Sequence, residues 1–289
     1  MYKGIFYMSV SAILFAASAG VSKYINNMSD INPMQITFVR FAIGAVFAFY
    51  LMLRLKIPFR PVNLKFVFLR VIFNTVAVIF FFIGIQHTTL TEANMLNMTY
   101  PAFVFLLSPF INNEHIKKEY IFYLLFSMCA IVLILNPSLN GFNYGNVLSL
   151  ISGIIAGAGV CVLRESRKYD SSIVILFYLM AAGGVLNFLM MIPYFKNVNH
   201  YIWLMAIISG SLGVAGQFAI TFGAKYISAA AGSIVSTTRI FWAALMGIIF
   251  FTEILKWNTV VGGIMLFISV VGIGGGWHAL IQNFRGKAA

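Results

Sequence analysis

The 289-residue chain is 61% hydrophobic and only 9% charged, with a formal net charge of +12 and a mean hydropathy of +0.93. About a quarter of the residues of a soluble domain are charged, so this composition excludes a soluble globular protein. The apolar runs are about 20 residues long, which suits membrane-spanning helices, and they lack the alternating pattern of barrel strands. We therefore predict an all-α integral membrane protein.

Ten apolar segments follow one another along the chain, separated by short polar loops. The loops are rich in residues that favour turns, such as "NNMSDINP" after the first segment and "NPSLNGFN" after the fifth. None of them is long enough for a soluble domain. The predicted transmembrane helices span residues 4–25, 34–53, 67–86, 92–112, 119–136, 144–164, 172–193, 201–222, 230–251 and 257–279.

Lysine and arginine are distributed unequally between the two sets of loops. With the N-terminus placed in the cytoplasm, fourteen of these residues lie on the cytoplasmic side, and only Lys23, Lys196 and Lys256 lie outside. Cytoplasmic loops of membrane proteins collect positive charge. The sequence thus predicts a multi-pass protein of the bacterial cytoplasmic (inner) membrane with both termini cytoplasmic. The net charge then requires no nucleic acid as partner, and the expected surroundings are membrane lipids.

Two segments of the chain align with one another without a gap. Residues 84–114 match residues 223–253, so that Tyr100 lies opposite Arg239. The first span matches the sixth in the same way, which makes the repeat unit five spans long. Because five is odd, the second copy enters the membrane in the opposite orientation, and such inverted repeats are typical of secondary transporters.

The same two segments carry a family resemblance. Each contains a glycine that closes one helix, a short turn of small residues, an apolar helix and a final glutamate, Glu114 or Glu253. In these features the chain resembles the ten-helix EamA-type proteins of the drug/metabolite transporter superfamily. The resemblance implies ten transmembrane helices in two inverted five-helix repeats, residues 1–140 and 141–289. It also implies secondary transport of a small metabolite by alternating access.

The second repeat departs from the family pattern at one position. The proline of the fourth span, Pro101, is matched by Ile240, which follows Arg239. An arginine there resembles the branch associated with uptake of S-adenosylmethionine or riboflavin, and the family also contains exporters of drugs and metabolites. The substrate, the direction of transport and the oligomeric state stay open at this point.

Two arginines, Arg40 and Arg239, lie well inside predicted spans, where a charged side chain costs roughly 2.5–3.5 kcal/mol on insertion scales. All seven carboxylates lie in predicted loops or near span ends. A carboxylate or phosphate of the solute would supply the missing anion, because a guanidinium binds either through two hydrogen bonds. The alternative is a structural role, in which the arginines cap carbonyls or join helices. Arg70 and Arg164, near the cytoplasmic interface, are assigned to topology and headgroup contact.

Polar and aromatic residues of the same spans are candidates for the rest of a substrate site. Asn94 and Asn97, for example, share a helix face because they are three residues apart. The competing interpretation is that such side chains only form hydrogen bonds between helices. The predicted substrate-binding residues are Arg239, Arg40, Asn74, Asn94, Asn97, Tyr100, Gln217, Ser236 and Trp242.

No predicted span has a carboxylate at its centre, although proton-coupled carriers commonly use one. Exchange or facilitated diffusion is therefore favoured over proton symport. If transport is coupled to protons, Glu92 and Glu165 are the candidates.

The sequence shows no nucleophile–base pair and no metal-ligand spacing, so we predict neither an enzyme nor a cofactor. The predicted function is transport of a small organic metabolite with an anionic group, such as an amino acid or its derivative. A membrane enzyme, a lipid-handling protein and a channel are the alternatives from other classes.

Overall fold

The computed structural model describes residues 1–88, 90–135, 143–251 and 257–273. Within these ranges the chain forms twelve α-helices, one short 3-10 turn and no strand. Seven of the described segments are long and apolar enough to cross a membrane, which confirms the prediction of an all-α membrane protein. The helices are α1 (Tyr2–Met28), α2 (Pro33–Arg54), α3 (Leu64–His87), α4 (Leu90–Asn97), α5 (Tyr100–Asn112), α6 (Lys118–Leu135), α7 (Tyr144–Tyr169), α8 (Ser172–Met191), α9 (His200–Gly223), α10 (Ala229–Ser236), α11 (Arg239–Phe251) and α12 (Trp257–Ile273).

The described helices correspond to the ten predicted spans when α4 with α5, and α10 with α11, are each taken as one interrupted span. The predicted end of the last span, 274–279, lies outside the described residues, as do the C-terminal residues up to 289 and Glu253.

Polar loop residues determine where several helices begin. The side chain of Asn143 accepts a hydrogen bond from the backbone N–H of Asn146 at 2.9 Å, at the start of α7. Asn199 caps α9 in the same way, and Ser228 caps α10. Each cap satisfies a backbone donor that the helix itself leaves unpaired.

The fourth and ninth spans each contain a break, which their continuous apolar sequences did not predict. In the first repeat the break separates α4 from α5 at Met98 and Thr99, and in the second it separates α10 from α11 at Thr237 and Thr238. The two breaks occupy equivalent positions in the aligned repeats. Such interrupted helices are a recurring feature of the substrate sites of secondary transporters.

A threonine hydroxyl accompanies each break. Thr99 donates to the carbonyl of Leu96 at 2.6 Å, and Thr238 donates to the carbonyl of Val235 at 2.8 Å. The bond spans three residues in both repeats. A hydroxyl that competes in this way for a backbone acceptor favours bending of a helix, and it is a local feature that the two breaks share.

Helices from the two halves of the chain pack against one another in a symmetric pattern. The main pairs are α1 with α9, α3 with α7, α2 with α8, and α6 with α12, and α5 meets α10. In the aligned repeats α1 is equivalent to α7, and α3 to α9, so the pairs α1–α9 and α3–α7 are equivalent contacts. The space between the halves is therefore bounded by both repeats.

Glycines of α7 allow it to approach the break in the fourth span. A Cβ atom at Gly153 would lie 2.9 Å from the carbonyl oxygen of Leu96. At Gly157 it would lie 2.9 Å from the Cβ of Phe103 and 3.0 Å from the carbonyl oxygen of Tyr100. Any larger residue would push α7 away from the break, so the packing here depends on glycine.

Candidate functional site

A cavity of about 270 Å³ lies between the two halves, and residues of α1, α3, α4, α5, α7, α9 and α11 contribute to its lining. Along α3 the lining runs from Arg70 to Phe81, which is about 9 to 26 Å from the start of that helix at 1.5 Å per residue. The cavity thus lies at the depth of the membrane interior. Five of the nine predicted substrate-binding residues line it: Asn74, Asn97, Tyr100, Gln217 and Arg239.

One face of α3 supplies a wall of this cavity. Arg70, Asn74, Ala77 and Phe81 all line it, and they follow one another at spacings of four, three and four residues, which is the repeat of one helix face. Arg70 is only 7% exposed. The predicted contact of Arg70 with lipid headgroups is therefore wrong, because its side chain points into the protein. Its four-residue spacing from Asn74 was the sequence signal for this buried position.

Arg40 and Arg239 both lie against the aromatic ring of Phe15, which lines the cavity. The guanidinium carbon of Arg40 lies 4.9 Å from the centre of the Phe15 ring, and that of Arg239 lies 5.8 Å from it. Contacts of this kind stabilise a cation through the electron density of the ring face. They do not neutralise it, so two positive charges are held close together beside the cavity.

The hydrogen-bond partners of these two arginines are weak. Arg40 donates from Nη2 to Oε1 of Gln217 at 3.5 Å, and its buried Nε has no partner. Arg239 donates from Nη2 to the sulfur of Met98 at 3.2 Å, and a thioether is a poor acceptor. Both guanidinium groups therefore keep hydrogen-bonding capacity for another molecule.

Glycines of α9 make room for Arg40. A Cβ atom at Gly210 would lie 3.1 Å from the Cα of Arg40. At Gly213 it would lie 2.8 Å from the Cδ and 2.9 Å from the Nε of the same arginine. The close approach of α2 and α9 places the stem of Arg40 where its guanidinium reaches Gln217 and Phe15.

No carboxylate within the described ranges forms an ion pair with Arg40, Arg70 or Arg239. Carboxylates whose partners the structure describes bind other groups of the protein. Asp170, for instance, accepts hydrogen bonds from the backbone N–H groups of Val62 and Asn63 at 2.6 and 3.0 Å, just before α3. The positive charge around the cavity is thus uncompensated by the part of the protein that the structure describes.

Glu114 and Arg164 connect the ends of four helices, α5, α7, α9 and α10. Glu114 accepts a hydrogen bond at 3.0 Å from the backbone N–H of Ala229, the first residue of α10, and pairs with Arg164 at 3.3 Å. Arg164 also donates to the carbonyl oxygens of Ala224 and Lys225, at 2.8 and 2.7 Å, where α9 ends. Arg164 is therefore a structural link between elements of both halves rather than a free interfacial charge.

Of the two coupling candidates, Glu165 is outside the described lining of the cavity. Glu165 is 7% exposed near the C-terminal end of α7, where it pairs with Lys168 at 2.6 Å and accepts a hydrogen bond from Asn112 at 3.1 Å. The side chain of Glu92 lies outside what the structure describes.

The other predicted site residues occupy different positions. Ser236 lines a separate small, mainly apolar cavity, and its hydroxyl donates to the carbonyl of Gly232 at 2.9 Å. Asn94 and Trp242 lie outside the described lining of the large cavity. Arg40 is itself not part of that lining, but it contacts Phe15 and Gln217, which are.

Comparison with known proteins agrees with this architecture. The sequence model of the EamA-like transporter family matches the chain twice, over residues 2–136 and 143–275. One match falls in each half, which confirms the predicted two-repeat fold. A protein of known crystal structure superimposes with a TM-score of 0.81 at 15% identity, covering 94% of this chain and 96% of its own; this likeness supports the fold alone.

Several relatives are named as transporters. An uncharacterized transporter of Helicobacter pylori is 29% identical, over 75% of this chain and 76% of its own length. The pseudopaline exporter CntI of Pseudomonas aeruginosa is 24% identical, over 83% of this chain and 85% of its own. Solute carrier family 35 member G1 of Mus musculus is 23% identical, over 93% of this chain and 77% of its own.

Proposed function

The chain belongs to the EamA-like transporter family, and from this premise we propose that it is a secondary carrier for a small organic solute with an anionic group. The relatives named above are transporters, which agrees with transport rather than catalysis. An amino acid or an amino-acid derivative remains the solute class that we propose. Its carboxylate would bind to Arg239, with Arg40 beside it.

The observation that carries this proposal is the uncompensated charge at the cavity. Arg70 and Arg239 line it and Arg40 adjoins it, and no carboxylate of the described residues pairs with any of them. An isolated charge inside a membrane protein is costly and marks a pathway or a ligand site by default. A solute carboxylate would recover the cost, because charge-assisted hydrogen bonds to a guanidinium fork are strong and directional.

We further propose that residues 1–140 and 141–289 are the two units that move in alternating access. The main helix pairs join one half to the other, and the broken helices α4–α5 and α10–α11 occur once in each half. Rocking of one repeat against the other around a midplane site is the common mode of such folds. On the distribution of basic residues, the proposed orientation has both termini in the cytoplasm, in a bacterial inner membrane.

Exchange of solutes is the proposed mode of transport. A carrier that returned without solute would close around guanidinium groups that lack a counter-charge, whereas a carrier that returned with an anion would not. Glu165 is engaged with Lys168 and Asn112 away from the cavity, which weakens the case for proton symport. The similarity to a protein named as an exporter makes outward transport the direction to test first.

The charge of the cavity also bears on the alternative solutes. S-adenosylmethionine has one carboxylate but also a sulfonium and an ammonium group, so its net charge is positive and three guanidinium groups would repel it. Riboflavin is uncharged and would leave the arginines uncompensated. Both belong in the ligand screen as comparison compounds, because their binding would speak against the proposed class.

A thermal-shift screen of the purified protein tests the proposal. The panel contains amino acids, carboxylates with their amides, S-adenosylmethionine and riboflavin, and a ligand that binds only the folded state raises the melting temperature. We expect carboxylates to stabilise the wild type but not Arg239→Gln, and Arg239→Lys to recover little. Neutral or cationic hits, or carboxylate hits that persist in Arg239→Gln, would contradict it.

A further inference from the structure

We infer that the solute carries at least two separate anionic groups, one bound by Arg239 with Arg40 and a second bound by Arg70. This inference rests on the proposed function of the cavity and specifies its ligand. The anionic groups are carboxylates or phosphates, since both fit the guanidinium fork.

The number of charges is the first argument. Three guanidinium groups surround or adjoin a cavity of about 270 Å³, and no carboxylate of the described lining balances them. A single monoanion would leave two of the three uncompensated. An amino acid with one carboxylate would also bring its own ammonium group into the same positive field, so its binding would be weaker still.

The position of Arg70 is the second argument. It lies on α3, six residues inside the helix, and its side chain is 93% buried with no hydrogen-bond partner for its Nε. Buried donors are nearly always satisfied in native structures. Because Arg70 lines the same cavity as Arg239, a ligand group in that cavity can supply the partner that the protein does not.

The third argument is that the arginines form two groups and not one. Arg40 and Arg239 share the ring of Phe15. Arg70 instead packs beside α7, where a Cβ atom at Gly159 would lie 3.0 Å from its Nη1. Its neighbour on the cavity wall is Asn74, one turn further along α3. Two anionic groups at different ends of one solute match this division.

The cavity has room for a compact solute. Its volume of about 270 Å³ is far above the roughly 10–15 Å³ that one water molecule requires. A compact di- or tricarboxylate or a small phosphorylated carboxylate is of a size that such a space admits.

The test compares three probes that each add one carboxylate to the last, together with one phosphate probe. Binding of butyrate, glutarate, propane-1,2,3-tricarboxylate and glycerol 3-phosphate is measured on the purified full chain at constant ionic strength. For the wild type we expect glutarate to bind at least about tenfold more tightly than butyrate, the effect of one additional charge-assisted contact. Glycerol 3-phosphate reports whether a phosphate serves as well as two carboxylates.

Variants locate the second anion site. Arg70→Gln is expected to reduce the preference for glutarate over butyrate to about one- to twofold, whereas Arg239→Gln weakens both probes. Gly159→Ala keeps the charge of Arg70 but displaces its guanidinium, so it should lower the preference in part. Arg60→Gln removes an exposed loop charge and should change neither probe.

The outcomes separate this inference from the proposed function. If butyrate and glutarate bind the wild type equally, the inference is overturned while the proposed carrier of anionic solutes stands. If no anionic probe binds, or if Arg239→Gln changes no affinity, the proposed function fails and the inference fails with it. Should Arg70→Gln not fold, the probe series on the wild type and on Gly159→Ala still decides.

Discussion

Replacement of Arg239 by glutamine should not destabilise the protein in the absence of solute. Its guanidinium group contacts the Phe15 ring at 5.8 Å and the Met98 sulfur at 3.2 Å. Losing a cation–π contact costs about 0.5–2 kcal/mol. Against this stands the cost of an uncompensated charge inside the membrane, roughly 2.5–3.5 kcal/mol on insertion scales. The balance is a free energy of unfolding that is higher by about 0.5–3 kcal/mol.

Arg164→Gln is the matched control, because it removes the same guanidinium from a place where the protein pairs it. Glu114 would lose its ionic partner, and the carbonyls of Ala224 and Lys225 would lose a donor. Leaving such partly buried groups unsatisfied costs about 1–3 kcal/mol. The two variants should therefore shift stability in opposite directions.

The assay is thermal unfolding of both variants and the wild type in the same detergent, without added solute. We expect the melting temperature of Arg239→Gln to equal or exceed that of the wild type, and that of Arg164→Gln to fall. If Arg239→Gln unfolds as early as Arg164→Gln, then Arg239 holds the fold together and the reasoning from its missing partner is refuted.

Two further predictions concern residues around the site. Gly213→Ala should weaken anion binding several-fold by displacing the stem of Arg40, whereas Gly20→Ala, whose Cβ would make only an ordinary 3.7 Å contact, should leave the measured affinity unchanged. Glu165→Gln should lower stability by about 1 kcal/mol yet leave the pH dependence of transport in proteoliposomes unaltered; a pH dependence that disappears in this variant would instead identify Glu165 as a proton-coupling residue.

The membrane-spanning segments could be predicted because hydropathy and span length depend on local composition alone. The breaks at Thr99 and Thr238 could not, since their residues are compatible with a continuous helix. In each span a hydroxyl bond to the backbone accompanies the bend, to Leu96 in one repeat and to Val235 in the other. The close packing of α7 is a tertiary contact that local sequence does not show. The gapless alignment of the two repeats placed both threonines at equivalent positions but gave no sign of a bend.

Depth and charge selected residues that the structure places at one cavity, whereas side-chain direction could not be read from the sequence. Arg239 and Gln217 line that cavity, and substrate binding by them stays a prediction. Asn97 lines the cavity too, while Asn94, on the same face by periodicity, is not in the described lining. Arg70 was assigned to the interface from its short distance to a basic loop, and only the packing of α3 against α7 shows it to be buried.

Counterflow in proteoliposomes tests most directly whether the protein exchanges an anionic solute that Arg239 binds. Vesicles are loaded with an unlabelled dicarboxylate that binds the purified protein, and uptake of the same labelled compound is followed in the wild type and in Arg239→Gln. We expect saturable uptake that internal substrate accelerates, that a collapsed proton gradient leaves intact, and that Arg239→Gln abolishes. Uptake that is absent in the wild type, fails to saturate or is equal in Arg239→Gln would contradict this expectation.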